Sequence, residues 1–384
     1  MSQRNDSKPS TLAALTSSAL LLPAYQAAAD APPEYTEIGV RYSKYEEDDI
    51  EGKKSFGGGS ERYEIDIAQF HLLAPVGDNF SVALDVQYED MSGASPWFVG
   101  ESSTGPRVIM SGASIEDTRT EVSVATRYYY DRGNAGISYT YSDEDDYESD
   151  ALSLDASFNS EDGMTTYSAA VSSSWDDIQP TQGSIPTNTL EDEKDIRSAW
   201  IGVTRIVSKQ AIIRFGLSYT YREGFLTDPY KNRDSRPDER NEYTFSTGYR
   251  HFFDEHDAAL HLDYRYFDDD WDIVSHSLDV AWVQNLPHDF QLTPFFRYYS
   301  QDEARFFNVV TETTDRFYAD DYRLSAFGAL SFGLKVRKNI GNWAVNAVGE
   351  RYRSDQSWGL YNADESPGLV DFWRVSFGLD YVFR

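Results

Sequence analysis

The sequence predicts an all-β fold: a transmembrane antiparallel β-barrel of about sixteen strands, with short periplasmic turns and long extracellular loops. Three observations predict it. Apolar and polar residues alternate with a period of two along many short segments, aromatic residues make up 15% of a chain whose mean hydropathy is −0.57, and short and long connections alternate. A soluble protein with 27 Tyr and 22 Phe would set them among aliphatic runs, and its mean hydropathy would rise. A barrel spaces them on a lipid-facing side with polar residues between. No apolar run reaches the ~20 residues of a transmembrane helix, so helical spanning is excluded for the mature chain.

From the N-terminus, the first element reads as an export leader. Arg4 and Lys8 give a positive start, Leu12 to Leu22 an apolar core, and Ala27-Ala28-Ala29 a small-residue cleavage site. The expected organisation is a signal peptide over 1–29 and a single barrel domain over 30–384 in a Gram-negative outer membrane. A disordered leader is the alternative. The absence of cysteine excludes disulfides, a lipidated Cys, thiolate metal sites and c-type haem attachment, and no cofactor is expected. A net charge of −30 excludes a nucleic-acid partner, which needs a basic footprint. It fits a surface set among lipopolysaccharide head groups, or simply solvated acidic loops.

The strands follow in order. In Phe80 to Tyr88, the side chains of Phe80, Val82, Leu84, Val86 and Tyr88 share one face, with Ser81, Asp85 and Gln87 on the other. Ala211 to Arg222 sets Ile213, Phe215, Leu217, Tyr219 and Tyr221 against Arg214, Ser218, Thr220 and Arg222. Ala258 to Phe267 sets Leu260, Leu262, Tyr264 and Tyr266 against His261, Asp263 and Arg265. Similar segments recur at 36–45, 61–73, 119–130, 135–142, 151–159, 164–175, 197–207, 241–252, 272–284, 290–299, 322–335, 342–352 and 370–383. Segments 197–207 and 342–352 alternate poorly, which leaves room for a count lower by two.

Connections at 76–79, 131–134, 160–163, 254–257 and 286–289 are tight, whereas those near 46–60, 89–118, 176–196, 223–240, 300–321 and 353–369 are long. The shorter acidic links 143–150 and 268–272 fall on the long-loop side. Long loops at one end only are a barrel trait, and a β-sandwich has no reason to keep them there. Tyr128, Tyr130, Tyr139, Tyr141, Trp175 and Trp373 at strand ends suit interfacial girdles. The final strand, with Gly378, Tyr381 and Phe383, is similar to the C-terminal insertion signal read by the outer-membrane assembly machinery, although Arg384 follows the last aromatic.

Met91 to Trp97, Ser111 to Asp117, LTDPYK (226–231), YRHF (249–252), LHLDYRYFDDDW (260–271), RYYSQ (297–301), DYRLSAFGALSFGLK (321–335) and SPGLVDF (366–372) together resemble the domain-of-unknown-function 3570 family of predicted outer-membrane proteins. The likeness spans essentially the whole mature chain. It implies a barrel and hands over no catalytic residues. Through the family's association with small periplasmic lipoproteins, thioredoxin-like proteins and flavin-transfer enzymes, it also implies a periplasmic redox or flavin-linked partner.

The alternation assigns lumen-lining residues. Early strands send in Glu37, Glu64, Asp66, Asp85, Glu89 and Asp155; later ones send in Arg214, Arg222, Arg250, Arg265, Arg297 and Arg323. Arg41 and Arg127 run against that division early, as Asp263 and Asp279 do late. Opposed acidic and basic walls would favour polar or zwitterionic solutes, whereas a salt-bridged interior would fill the barrel. A one-residue slip would reverse every assignment. Three functions follow: a porin-like channel for small polar solutes, a non-enzymatic barrel that docks or anchors the redox or flavin-linked partner, or an outer-membrane hydrolase.

The hydrolase rests on His261, Asp263 and Ser277, with Ser275 and Asp279 nearby, as a Ser-His-Asp set for acyl transfer. It lacks a GxSxG elbow, and its residues face inward, away from lipid, so no catalytic residue is assigned. Asp143-Glu144-Asp145-Asp146 offers hard ligands for Ca²⁺ but lacks EF-hand spacing, so solvated charge is the reading and no metal is expected. Gly57-Gly58-Gly59 lacks a following Lys-Ser/Thr and reads as a loop tip. Loop 89–118, with Pro96, Trp97 and Phe98, is the natural candidate for a plug.

Overall fold

Alternation of this kind forms a sheet with one greasy and one polar face, and closing the sheet hides the polar face from lipid. The computed structural model describes residues 31–52, 54–56, 62–94, 96–103, 105–110, 115–180, 192–309, 315–361 and 366–384. The leader 1–29 and Gly57-Gly58-Gly59 lie outside these residues. In chain order the strands are β1 (Thr36–Glu47), β2 (Glu64–Val76), β3 (Phe80–Gly93), β4 (Pro96–Ser102), β5 (Gly105–Met110), β6 (Ile115–Tyr130) and β7 (Gly133–Asp143). They continue with β8 (Tyr147–Asn159), β9 (Thr165–Ile178), β10 (Asp192–Ile206), β11 (Ala211–Gly224), β12 (Asp234–Ser235), β13 (Glu239–Phe253) and β14 (Ala258–Asp269). The last are β15 (Val274–Leu286), β16 (Phe290–Gln301), β17 (Tyr318–Ala319), β18 (Phe327–Ile340), β19 (Trp343–Asp355) and β20 (Phe372–Phe383).

Among the described residues, sixteen of these strands close into one antiparallel barrel, sealed by β1 against β20 from Thr36↔Phe383 to Glu47↔Phe372. The other four form two small sheets within the loops, β4 with β5 and β12 with β17. Both poorly alternating segments are barrel strands, β10 and β19. Segment 322–335 is shifted, since β18 begins at Phe327 and Tyr322–Leu324 is a 3-10 turn. One barrel end carries only tight turns. Between β15 and β16, His288 and Asp289 both take positive φ, 65° and 60°, the backbone that a two-residue hairpin turn matched to strand twist requires.

The outer face carries Val40, Tyr42, Tyr88, Leu154, Ile201, Leu217, Phe332 and Phe377, all exposed. Aromatics gather at both rims. At the turn end Phe80 packs on Tyr128 at 5.0 Å between ring centres, and Trp343 on Tyr381 at 4.5 Å. At the loop end, Tyr219 meets Tyr243 at 5.2 Å, and Trp175 and Trp373 are exposed. Among the described residues the barrel therefore has no apolar centre. The one apolar cluster resolved among the described buried residues lies at the loop end, where Trp271, Ile273, Ala304, Phe306, Ala319 and Leu324 pack together.

Candidate functional site

The inner wall is built from rows of residues at equal height on neighbouring strands, and the rows pair opposite charges. Arg127 on β6 faces Gly136 on β7, which faces Asp155 on β8; Arg127 reaches across the glycine to Asp155 at 2.7 Å. A Cβ at Gly136 would lie 2.7 Å from Asp155 Oδ1 and 2.8 Å from Arg127 Nη2, so only glycine leaves the bridge room. The same device recurs where Arg214 on β11 reaches over Gly248 on β13 to Asp263 on β14 at 2.5 Å. Arg250 meets the other oxygen of Asp263 at 2.7 Å. One row further round, Asp279 faces Asp263 and is held by Arg297 at 2.5 Å.

The remaining inward charges are mostly paired too. His71 Nδ1 lies 2.6 Å from Asp85, and Arg222 lies 3.0 Å from Glu242 in a partly buried pair. Glu89 faces Arg119 at 3.7 Å. Arg265 sits opposite Ser277 and carries no ion pair among the described residues. The interior is thus laced with ion pairs between neighbouring strands, and acidic and basic side chains meet on adjacent strands instead of gathering on two opposed walls.

Three assignments change. Glu64 and Asp66 lie on the outer face, where Lys44 binds Glu64 at 3.0 Å and the Tyr42 hydroxyl donates to Asp66. Phe70, Leu72 and Val76 fix the outward parity of β2, and its unbroken register carries that parity up to Glu64. Ile65, between Glu64 and Asp66, faces in and is buried beside the loops. Arg323 faces the mouth of the barrel from the 3-10 turn instead of lining its wall from a strand.

Along the middle of β7 to β11 the inner face is made mostly of small residues. Ser138, Thr140, Ser153, Ser157, Ser168, Ser172, Ser198, Gly202, Gly216 and Ser218 share inward registers with the Arg127–Asp155 and Arg214 rows. Ala151 and Ala170 share this wall, Ile196, Lys194 and Tyr147 face inward nearer the loops, and Trp200 lies over Gly216, where a Cβ would stand 2.9 Å from the indole nitrogen.

The loops form a cap. Asp321, 1% exposed, is its hub: it accepts from Arg236 at 2.9 Å, from Arg323 Nε at 2.7 Å and from the Arg323 main-chain N–H at 3.0 Å. Arg236 also binds Asp234, and Arg323 binds Asp228, each at 2.7 Å. Burial raises the Asp321 carboxyl, but Arg323, Lys231 and Arg236 outweigh it and hold the group well below the usual carboxylate range. The β4–β5 hairpin is tied in by Lys231, which donates to Pro96 O at 2.8 Å, and by Asp320, which accepts the Val99 N–H at 2.8 Å. Segment 89–118 therefore joins a cap shared by several loops. Beside the hub, Arg62 pairs with Glu47 at 2.6 Å, donates to Gly368 O and covers the Tyr322 ring.

Sequence reading missed this hub because its members lie far apart in the chain. The available signal was apolar: Trp271, Phe306, Phe317 and Leu324 are loop residues that need a core. The link between β7 and β8 also departs from expectation. Asp143 and Asp145 are exposed, but Glu144 and Asp146 are buried, and burial pushes them up to about 8 and about 7.

The catalytic constellation does not assemble. His261 faces Ala281, whereas Ser277 faces Arg265 and donates to Asp279 at 3.2 Å. Asp263 is occupied by Arg214 and Arg250. Four strand positions separate the residues facing His261 and Ser277, about 13 Å at the usual rise, too far for a proton relay. At the C-terminus, Tyr381 and Phe383 pack edge to face at 4.7 Å, while Gly378 sits inward beside Arg41.

Solved structures with similar folds include CdiB from Acinetobacter baumannii, with a TM-score of 0.52 and 11% identity, covering 91% of this chain and 60% of that one. OccD3 (OpdP) of Pseudomonas aeruginosa follows at 0.44 and 8%, covering 91% of each chain. A BenF-like porin from Pseudomonas fluorescens Pf-5 gives 0.43 and 11%, covering 93% of this chain and 100% of its own. At these identities the likeness speaks to fold alone. No curated protein matches the chain in sequence. Residues 12–376 match the family described as Protein of unknown function (DUF3570), and the chain belongs to that family, with a closed sixteen-stranded β-barrel of the outer-membrane type as its fold.

Proposed function

We propose that this protein is a non-enzymatic outer-membrane channel for small polar solutes, with its loop end outward and its turn end in the periplasm. The observation that carries the reading is the inner wall of β7 to β11, where most inward positions are Ser, Thr, Gly or Ala, side chains too short to reach far into the interior. Barrels of about this strand number hold an aqueous channel. Pairing of the inward charges leaves weak ion selectivity, so neutral and zwitterionic solutes pass beside small ions. The cap over the outer mouth acts as the constriction.

Planar-bilayer recording tests this. The purified barrel conducts, and loosening the cap with Asp321→Asn raises its mean conductance or open time. A correctly folded barrel that stays silent in both forms removes the channel reading. Capture of a flavin- or haem-bearing protein by such a silent barrel would favour the docking function instead.

A further inference from the structure

At the loop end of β6, β7 and β8, three carboxylates meet from two distant stretches of chain. Asp117 stands near the start of β6, and Glu144 and Asp146 stand in the link between β7 and β8. One oxygen from each lies within 4.8 Å of the others, and all three residues are more than nine-tenths buried. Each is held on one side. Asp117 Oδ1 accepts the Thr118 N–H at 2.8 Å, Glu144 Oε1 faces Arg119 Nε at 3.4 Å, and Asp146 Oδ2 accepts the Tyr230 hydroxyl. The other oxygens, Asp117 Oδ2, Glu144 Oε2 and Asp146 Oδ1, are buried without a hydrogen-bond partner among the described residues.

Positive charge nearby is already committed. Arg119 also faces Glu121 at 2.6 Å and Glu89 at 3.7 Å, so with Glu144 three buried carboxylates share one guanidinium, and Asp117 and Asp146 carry no ion pair among the described residues. Lys194 is bound to Asp176 at 3.2 Å. Buried carboxylate oxygens without a donor are costly, and three of them brought together from two distant stretches of chain call for a shared cation.

We infer that Asp117, Glu144 and Asp146 bind a divalent cation, Ca²⁺ by preference. Bound there, it would fasten the β7–β8 link to the start of β6 and, through Tyr230, to the loop between β11 and β13. Three carboxylates are hard ligands, and oxygens on opposite sides of a Ca²⁺ ion at ~2.4 Å stand ~4.8 Å apart, the distance within which these oxygens lie. Mg²⁺ demands shorter bonds and stricter geometry. The inference concerns the outer loops and stands whether or not the barrel conducts.

The test uses the folded full-length barrel, stripped with a chelator and titrated with CaCl₂ by calorimetry, with Tb³⁺ luminescence as a second readout. The wild type shows a saturable site, weakened about tenfold or more by Glu144→Gln. The triple change Asp117→Asn, Glu144→Gln, Asp146→Asn abolishes it. Neutralising the exposed neighbours with Asp143→Asn and Asp145→Asn leaves it in place. Wild-type binding that the triple variant retains, or that the exposed pair removes, overturns the assignment, as does a wild type with no saturable site. Should the triple variant misfold, hydrogen exchange on the wild type decides. The Glu144 N–H, bonded to Tyr147 O, and the Gln179 N–H, bonded to Asp146 O, must slow when CaCl₂ is added, and unchanged exchange counts against the site.

Discussion

Asp321→Asn keeps the shape of the cap's central side chain and removes its charge. In the wild type this buried carboxylate accepts from Arg236 and three times from Arg323. Breaking a buried ion pair by deleting one partner costs about 3–5 kcal/mol, largely because a cation is left uncompensated. Here Arg236 keeps Asp234 and Arg323 keeps Asp228, so the loss falls at the low end, about 3 kcal/mol. The cap can open without unfolding the barrel, because the strand ladders do not run through Asp321. The loss therefore appears as a roughly hundredfold rise in the open-cap population.

Native-state hydrogen exchange reads that population residue by residue. The amides of Ala304, bonded to Leu324 O, and of Leu324, bonded to Asp321 O, should lose protection by that factor. Amides in the β10–β11 ladder should keep theirs. If cap amides exchange at the wild-type rate while the barrel ladder is intact, the hub carries no such energy and the reasoning fails.

Two more changes probe the same logic. Burial pushes the Asp320 carboxyl up to about 6, against its Val99 hydrogen bond and Lys231. Because the folded value exceeds the unfolded one, its stabilising contribution is full below the ordinary carboxylate range and is lost as pH rises through about 6. Protection of the Val99 amide, corrected for intrinsic exchange, should fall between pH 5 and pH 7.5, and Asp320→Asn should flatten the profile; a flat wild-type profile would contradict it. In the wall, Gly248→Val drives side-chain atoms into Arg214 and Asp263 and should destabilise the barrel by about 1–3 kcal/mol. Gly349→Ala, which meets open space, should be near neutral, and equal urea midpoints for the two variants would show that the glycine rows are not what seats the bridges.

How much of this was legible depends on how local its cause is. Alternation along Phe80 to Tyr88 marks β3 because lipid selects every second side chain. It fades in 197–207 and 342–352 because the inner wall accepts apolar residues where they pack: Trp200 over Gly216, and Ala344 and Val348 along β19. In β2 the eye follows Ile65 and Ile67, but Phe70 and Leu72 sit in the lipid band and set the parity. Above that band nothing obliges outward residues to be apolar, so Glu64 and Asp66 face out.

The sequence by itself determined the closed antiparallel barrel, its short-turn and long-loop ends, and its aromatic rims. Each follows from period, turn length or residue type within a dozen residues. Only the tertiary structure decided which inward charges meet. Arg127 and Asp155, or Arg214 and Asp263, are partnered by strand register across an intervening glycine. Only it decided that Asp321 gathers arginines from two loops, and that Glu144 and Asp146 turn inward to join Asp117. These contacts join residues about 30 to 90 positions apart. Their energy depends on burial and on the exact neighbour, and neither is written in the local pattern of polar and apolar residues.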